Sequence, residues 1–198
     1  TLSSSFVVDE STNPASKVVT PQTRDRIEAF ALDGKLDYVL TDAHATRLSG
    51  EVLLASGDDA RVSSTNTTYG GARPGSVDRA FNALGLSDVG VAFSPVVSNL
   101  LVLRAGISTI PFMECKPLRK MQIGSEFYAF AKFDRNAPIN EPTTNSRWLG
   151  IEPDLYMNWQ ITSDVSFTAR YGVFIPGDAI ESDGKVRQFL YTGVTISY

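Results

Sequence analysis

Cysteine and histidine are nearly missing from this chain: Cys115 and His44 are the single examples in 198 residues. One cysteine excludes an intrachain disulfide and a cysteine metal cluster. The lone His44 lies in a polar turn with no nucleophile motif beside it, so it reads as a surface residue. No run reaches the ~18 consecutive apolar residues of a spanning helix. That excludes a helical membrane protein but not a membrane β-barrel, whose strands are only half apolar. An excess of positive charge is lacking too. The net charge is −4 and no basic stripe is present, which gives no reason to expect a nucleic-acid partner. Residues 1–6 are not a charged region followed by an apolar one, so no secretory leader opens the chain. The expectation is that a leader was removed, or that this is the later part of a longer protein.

What the chain does have is alternation. Between 149 and 161, one set of alternate positions is Leu149, Ile151, Pro153, Leu155, Met157, Trp159 and Ile161. The other set is Gly150, Glu152, Asp154, Tyr156, Asn158 and Gln160. A strand sends successive side chains to opposite faces, so this segment has one apolar and one polar face. The pattern returns at Val165, Phe167, Ala169, Tyr171, Val173 and Ile175, and again at Leu190, Thr192, Val194, Ile196 and Tyr198. These segments exceed the usual strand of about 5–6 residues. They suit the roughly 9–11 tilted residues that cross a bilayer as β-structure. Trp148, Trp159 and Tyr198 near the ends of the apolar faces, with Tyr171, supply candidate membrane-interface aromatics. Pro153 interrupts its strand by removing a ladder N–H, which a bulge or a locally unpaired position would absorb.

Upstream, residues 24–40, 47–55, 100–109 and 121–133 read as four further strands, with a helix over 24–32 as the competing reading of the first. Residues 2–8 offer a short additional strand. The fold class is therefore all-β, an antiparallel transmembrane β-barrel of about eight strands, in one domain over residues 1–198. Residues 41–46, 110–120 and 162–164 are short turns. Residues 57–99, 134–146 and 176–185 are long connections at the opposite end, as outer-membrane barrels require. The brief alternation at 89–93 reads as loop structure folded into the barrel mouth.

The residues Leu149-Gly150-Ile151-Glu152-Pro153-Asp154-Leu155, then Tyr171-Gly172-Val173-Phe174-Ile175-Pro176-Gly177, then a last strand ending in Tyr198, resemble the C-terminal part of the alginate export family of outer-membrane barrels. That family shows a Gly-x-Glu-x-Asp strand, a Tyr-Gly-x-Phe-x-Pro-Gly strand and loop, and an aromatic C-terminus. The terminal aromatic is also similar to the insertion signal read by the barrel-assembly machinery. The resemblance implies a bacterial outer-membrane location and a porin-like channel, with no catalytic residues, no metal and no cofactor. The implied cargo is an anionic polysaccharide such as alginate, or a small polar solute. Larger members close with about sixteen to eighteen strands. The chain is then either the C-terminal half of such a barrel, partnered by a missing N-terminal half, or a smaller barrel whose interior is filled by side chains.

With the apolar faces on lipid, the opposite faces line the lumen. The lumen and selectivity candidates are Arg104, Lys132, Arg170, Arg187, Glu126, Glu152 and Asp154, accompanied by Lys35, Asp37, Arg47 and Glu51. One reading is a salt-bridged polar interior. The other is a cationic track in which Arg104, Arg170 and Arg187 pair with carboxylates of an anionic polymer. Glu152 and Asp154 stand about 7 Å apart by strand rise, within reach of glycosidase spacing, but no cleft constellation joins them. Asp58, Asp59 and Asp88 match no calcium-loop spacing. The Gly70-Gly71-Ala72-Arg73-Pro74-Gly75 run lacks the helix of a phosphate cradle. Two other functions fit the alternation: a small closed barrel acting structurally or as an adhesin, and a soluble carbohydrate-binding β-sandwich.

Overall fold

The computed structural model describes residues 26–61, 76–82, 89–181 and 184–197, and the backbone of four short strands before residue 25. Seven long strands form one antiparallel sheet: β1 (Ala31–Val39), β2 (Arg47–Ala55), β3 (Leu100–Thr109), β4 (Met121–Lys132), β5 (Trp148–Gln160), β6 (Val165–Pro176) and β7 (Arg187–Ile196). Each pairs with its neighbour in sequence, so the sheet is a simple meander. It is not closed, because β1 and β7 do not pair with each other. No helix occurs among the described residues.

The register settles which side chains share a face. Leu48 is opposite Ile107 and Tyr38, Val52 is opposite Leu103, Phe127 is opposite Ala105 and Pro153, and Leu155 is opposite Tyr171 and Ser125. The alternate apolar sets of the seven strands therefore fall on one continuous face, with one correction: the register break opposite Phe130 and Ala131 turns Leu149, expected on this face, into the core of the other and puts Trp148 here instead. That face is bare: Leu36, Val52, Leu103, Phe127, Leu155 and Val194 are all exposed. The other face is polar toward the short-turn end and apolar toward the long-loop end.

Three short turns, 40–46, 110–120 and 161–164, lie at one end of the sheet, and the long connections lie at the other. At the first turn Asp42 accepts hydrogen bonds from the Thr46 amide (2.8 Å) and hydroxyl (2.5 Å), which holds the chain reversal without glycine. The Pro153 expectation is met by a gap. Ile151 pairs with Ile175 and Asp154 with Gly172, but the positions between them leave the β5–β6 ladder unpaired. A bulge does occur in β5, three residues earlier, where Gly150 and Trp148 face consecutive residues Phe130 and Ala131.

Two expectations are corrected. The first strand begins at Ala31 rather than at residue 24, and no helix competes for that segment. The Phe30 amide donates to Ser56 Oγ (2.9 Å), and Arg26–Ile27 pairs in parallel with Val77–Asp78, so the chain leaves the ladder there. The additional N-terminal strand does not join the sheet. Phe6–Asp9 pairs with Ser16–Val19, and Leu2–Ser3 with Thr23–Arg24, in ladders of their own.

The hydrophobic core lies on the mixed face, at the long-loop end. Tyr128, Phe130, Leu100, Val102, Leu149 and Phe174 from the sheet are covered by Val89, Phe93 and Val97 from the long excursion and by Ile139, Ala179 and Ile180 from the other loops. Fully burying each large apolar side chain contributes about 1.5–3 kcal/mol, so this cluster fixes the loops onto the sheet.

Candidate functional site

The mixed face is built in two zones. In the zone nearer the short turns, charges are paired across strands. Lys35 and Glu51 are register partners 3.2 Å apart. Glu51 and Arg104 are the next partners, at 2.8 Å. Arg104 reaches on to Glu126 (3.0 Å), which also accepts the Tyr128 hydroxyl at 2.9 Å. This ribbon crosses β1 to β4. Asp37 and Arg47 form a second pair, at 2.7 Å. Arg104 and Glu126 are thus committed to each other.

In the zone nearer the long loops, residues 89–99 lie as a strap on the sheet. Glu152 of β5 is completely buried beneath it. One of its carboxylate oxygens accepts the amides of Val91 (2.5 Å) and Ala92 (2.6 Å), and the other accepts the amide of Phe93 (2.8 Å). Successive amides converging on a carboxylate form an anion nest, filled here from the opposing strand. The close approach requires glycine on both sides. Gly90 has φ of +90°, and a β-carbon there would lie 2.9 Å from the Glu152 oxygen. A β-carbon on Gly172 would lie 2.5 Å from Asp154 Oδ1 and 3.2 Å from the Ala92 nitrogen. Phe93 stacks on Phe174 and meets Phe130 edge-on at 5.1 Å.

Asp154, next along the same face, is 2% exposed and lies against the Glu152 carboxylate and the Val91 amide. Glu152 and Asp154 are therefore brought together as expected, but beneath the strap rather than in an open lumen. The far end of the strap is fixed by Asn99, whose amide donates to the Ala137 (2.7 Å) and Asp134 (2.9 Å) carbonyls and whose oxygen accepts the Asp134 amide (2.7 Å).

Two of the cationic candidates are loop tethers. Lys132 is buried and donates to the Arg135 and Thr144 carbonyls (2.5 and 2.6 Å). Arg187 forms a two-pronged pair with Glu141, one prong at 2.8 Å, and lies over the Phe174 ring at 5.5 Å. Arg170 lies beside the strap. It lines a cavity of about 400 Å³ with Thr168, Phe189, Tyr191 and Thr195, and the Gly90–Val91 end of the strap forms another wall.

Trp148 and Trp159 sit near opposite ends of the apolar face, and the Trp159 indole donates to the Pro117 carbonyl (2.9 Å) in the 110–120 turn. Tyr171 lies mid-strand on that face, its hydroxyl donating to Gln188 (2.8 Å). Tyr198, Asp88 and residues 70–75 lie outside the described residues. Asp58 accepts the amides of Ala60 and Arg79 (2.9 and 3.3 Å), which is a loop-stabilising role. His44 is exposed. Sequence reasoning missed the strap's contacts, because they run through backbone amides. The signal that could have found them is the Gly90 and Asn99 bracket around a Ser94-Pro95 turn.

The motif residues thus share one physical role, since Glu152, Gly172 and Phe174 all seat residues 89–99. No curated protein matches the chain. The sequence model of the alginate export family, described as "Alginate export", matches residues 17–190, far beyond the last three strands that carry the motifs. That family comprises outer-membrane transport channels rather than enzymes. The extent of the match, over most of the chain, places it: the protein belongs to the alginate export family.

Proposed function

We propose that the seven strands are part of the wall of an outer-membrane β-barrel that passes an anionic polysaccharide. The observation that carries this reading is the bare apolar face. Side chains from all seven strands align on it by register, and among the described residues no second layer covers it. A contiguous apolar surface of this extent is not stable in water. Hydrocarbon satisfies it, and an antiparallel strand wall satisfies its own backbone there.

Closure requires further strands along the outer edges of β1 and β7, since a wall left open in lipid would carry unpaired N–H and C=O groups. The mixed face then looks inward. Its paired charges keep the wall polar at low electrostatic cost, and the Arg170 cavity, with the aromatic side chains of Phe189 and Tyr191, offers a place where a carboxylate-bearing sugar meets a cation and a ring face. The cargo is acidic rather than neutral on this reading.

Planar-bilayer recording of the full-length protein tests it. The expected result is an ion current that soluble oligouronates block and neutral oligosaccharides of the same length do not. A protein that purifies monomeric without detergent overturns the membrane reading. Equal block by both sugars overturns the acidic cargo.

A further inference from the structure

The strap is held by two opposing terms. In its favour, Glu152 accepts three amides, and bonds to an ionised acceptor are stronger than neutral ones. The Phe93 ring adds a stack on Phe174. Against it stands Asp154. Seating the strap buries this carboxyl to 2% exposure, directly against the Glu152 carboxylate that holds the strap. Two carboxyl groups buried side by side cannot both carry charge without a cost in repulsion and lost hydration. Lifting residues 89–93 off the sheet rehydrates Asp154 but breaks the Glu152 nest. The two side chains, two residues apart on one strand, therefore pull the same segment in opposite directions.

Backbone geometry agrees with a segment seated at a cost. Two of its non-glycine residues, Ser94 and Asn99, have positive φ of 40° and 51°. The far end is pinned through Asn99, so the Gly90–Phe93 end is the one that can swing. That end forms a wall of the Arg170 cavity.

We propose that residues 89–99 are a gate at the long-loop mouth of the polar track, latched shut by Glu152 and kept releasable by Asp154. The gate rests on the channel reading above, because it regulates passage along the same face. The latch itself does not, and it can be measured without current.

The experiment compares Glu152→Gln and Asp154→Asn in the full-length protein in nanodiscs, reading amide hydrogen exchange over residues 89–99 and, in parallel, current in planar bilayers. Gly34→Ala serves as the control, since its added β-carbon meets only ordinary contact, 4.0 Å from the Val52 carbonyl. The expected result is opposite in sign for the two variants. Glu152→Gln speeds exchange of the strap about tenfold or more and raises the mean current. Asp154→Asn slows exchange several-fold and lowers the mean current. Exchange in β3 and β4 stays at the wild-type rate in both, which separates an unlatched strap from a loosened barrel.

Exchange that rises in both variants, or in neither, overturns the latch. Exchange that moves in opposite directions while the current does not follow overturns the gate. A wild-type protein that passes no current removes the channel and the gate together, with the exchange result still deciding the latch.

Discussion

The ring of Phe93 lies flat on the ring of Phe174, with centroids 4.2 Å apart and planes within 4° of parallel. One ring comes from the strap and the other from β6, and Phe174 has no exposed surface. Phe174→Ala removes the floor of the strap's seat and leaves a cavity against Phe130. The expected cost is about 3–5 kcal/mol, typical of truncating a buried phenylalanine. Urea unfolding in detergent micelles measures it, and a loss below about 1 kcal/mol would show that the seat collapses onto the space.

Gly172 is packed closely beneath the strap. Gly172→Ala places a methyl carbon 2.5 Å from Asp154 Oδ1 and 3.2 Å from the Ala92 nitrogen, closer than van der Waals contact allows. The strap must shift. Limited proteolysis is expected to cut within residues 89–99 in Gly172→Ala and to leave that segment intact in Gly50→Ala, where the added carbon stands 3.9 Å from the Arg104 carbonyl.

The two faces of β5 should tolerate charge very differently. Leu155→Arg puts a guanidinium on the apolar face near mid-strand. In a bilayer this costs about 2–4 kcal/mol at the midplane. Asn158→Arg lies on the opposite face, where the native side chain makes one 3.3 Å hydrogen bond with Thr168, and should cost less than about 1 kcal/mol, the worth of one neutral bond. Folding yield into lipid vesicles reads the difference, and equal losses would contradict the assignment of faces.

The first turn carries a pH signature. Asp42 is held below the usual aspartate range, first by the Thr46 hydroxyl and then by the Thr46 amide. Its charged form is therefore favoured in the folded turn. The stabilisation is present above the unfolded aspartate value and is lost as pH falls through the lowered folded value. Titration of the Asp42 carboxyl by NMR is expected to give a midpoint below that of an unstructured aspartate, and Thr46→Ala should move it back up.

The sheet was legible because its information is written in alternation. Ile151 to Ile161, Val165 to Ile175 and the Leu190 set each name a face directly, because a slip of one residue would turn every apolar side chain to the other face; Leu149 does not follow, because the bulge beside it reverses the alternation. Pro153 was legible as a fault in its ladder, and the fault is there. The start of β1 was not legible. The alternation of Phe30, Leu32 and Leu36 suggests a strand that starts earlier, but Phe30 finds its bonds at Ser56 and its ring packs edge-on against Phe133, both far away in sequence.

In sequence the strap carries only the marks of a loop, and its attachment is hidden. A carboxylate that accepts backbone amides looks, in sequence, the same as one that faces a lumen. Glu152 and Asp154 were correctly placed on one face, but which of them holds the strap depends on Val91, Ala92 and Phe93, about 60 residues away. Lys132 and Arg187 were hidden for the same reason, since their partners are loop carbonyls and Glu141.

The membrane wall stands or falls on which face of the sheet meets hydrocarbon, and fluorescence quenching by depth reads that face. Single cysteines, introduced in a Cys115→Ser background at Leu103, Leu155 and Val194 on one face and at Ser49, Asn158 and Thr195 on the other, would carry an environment-sensitive label in reconstituted protein. Brominated lipid is expected to quench the label at the first three positions, and aqueous iodide at the second three. Quenching by iodide at Leu103, Leu155 and Val194 would contradict the wall.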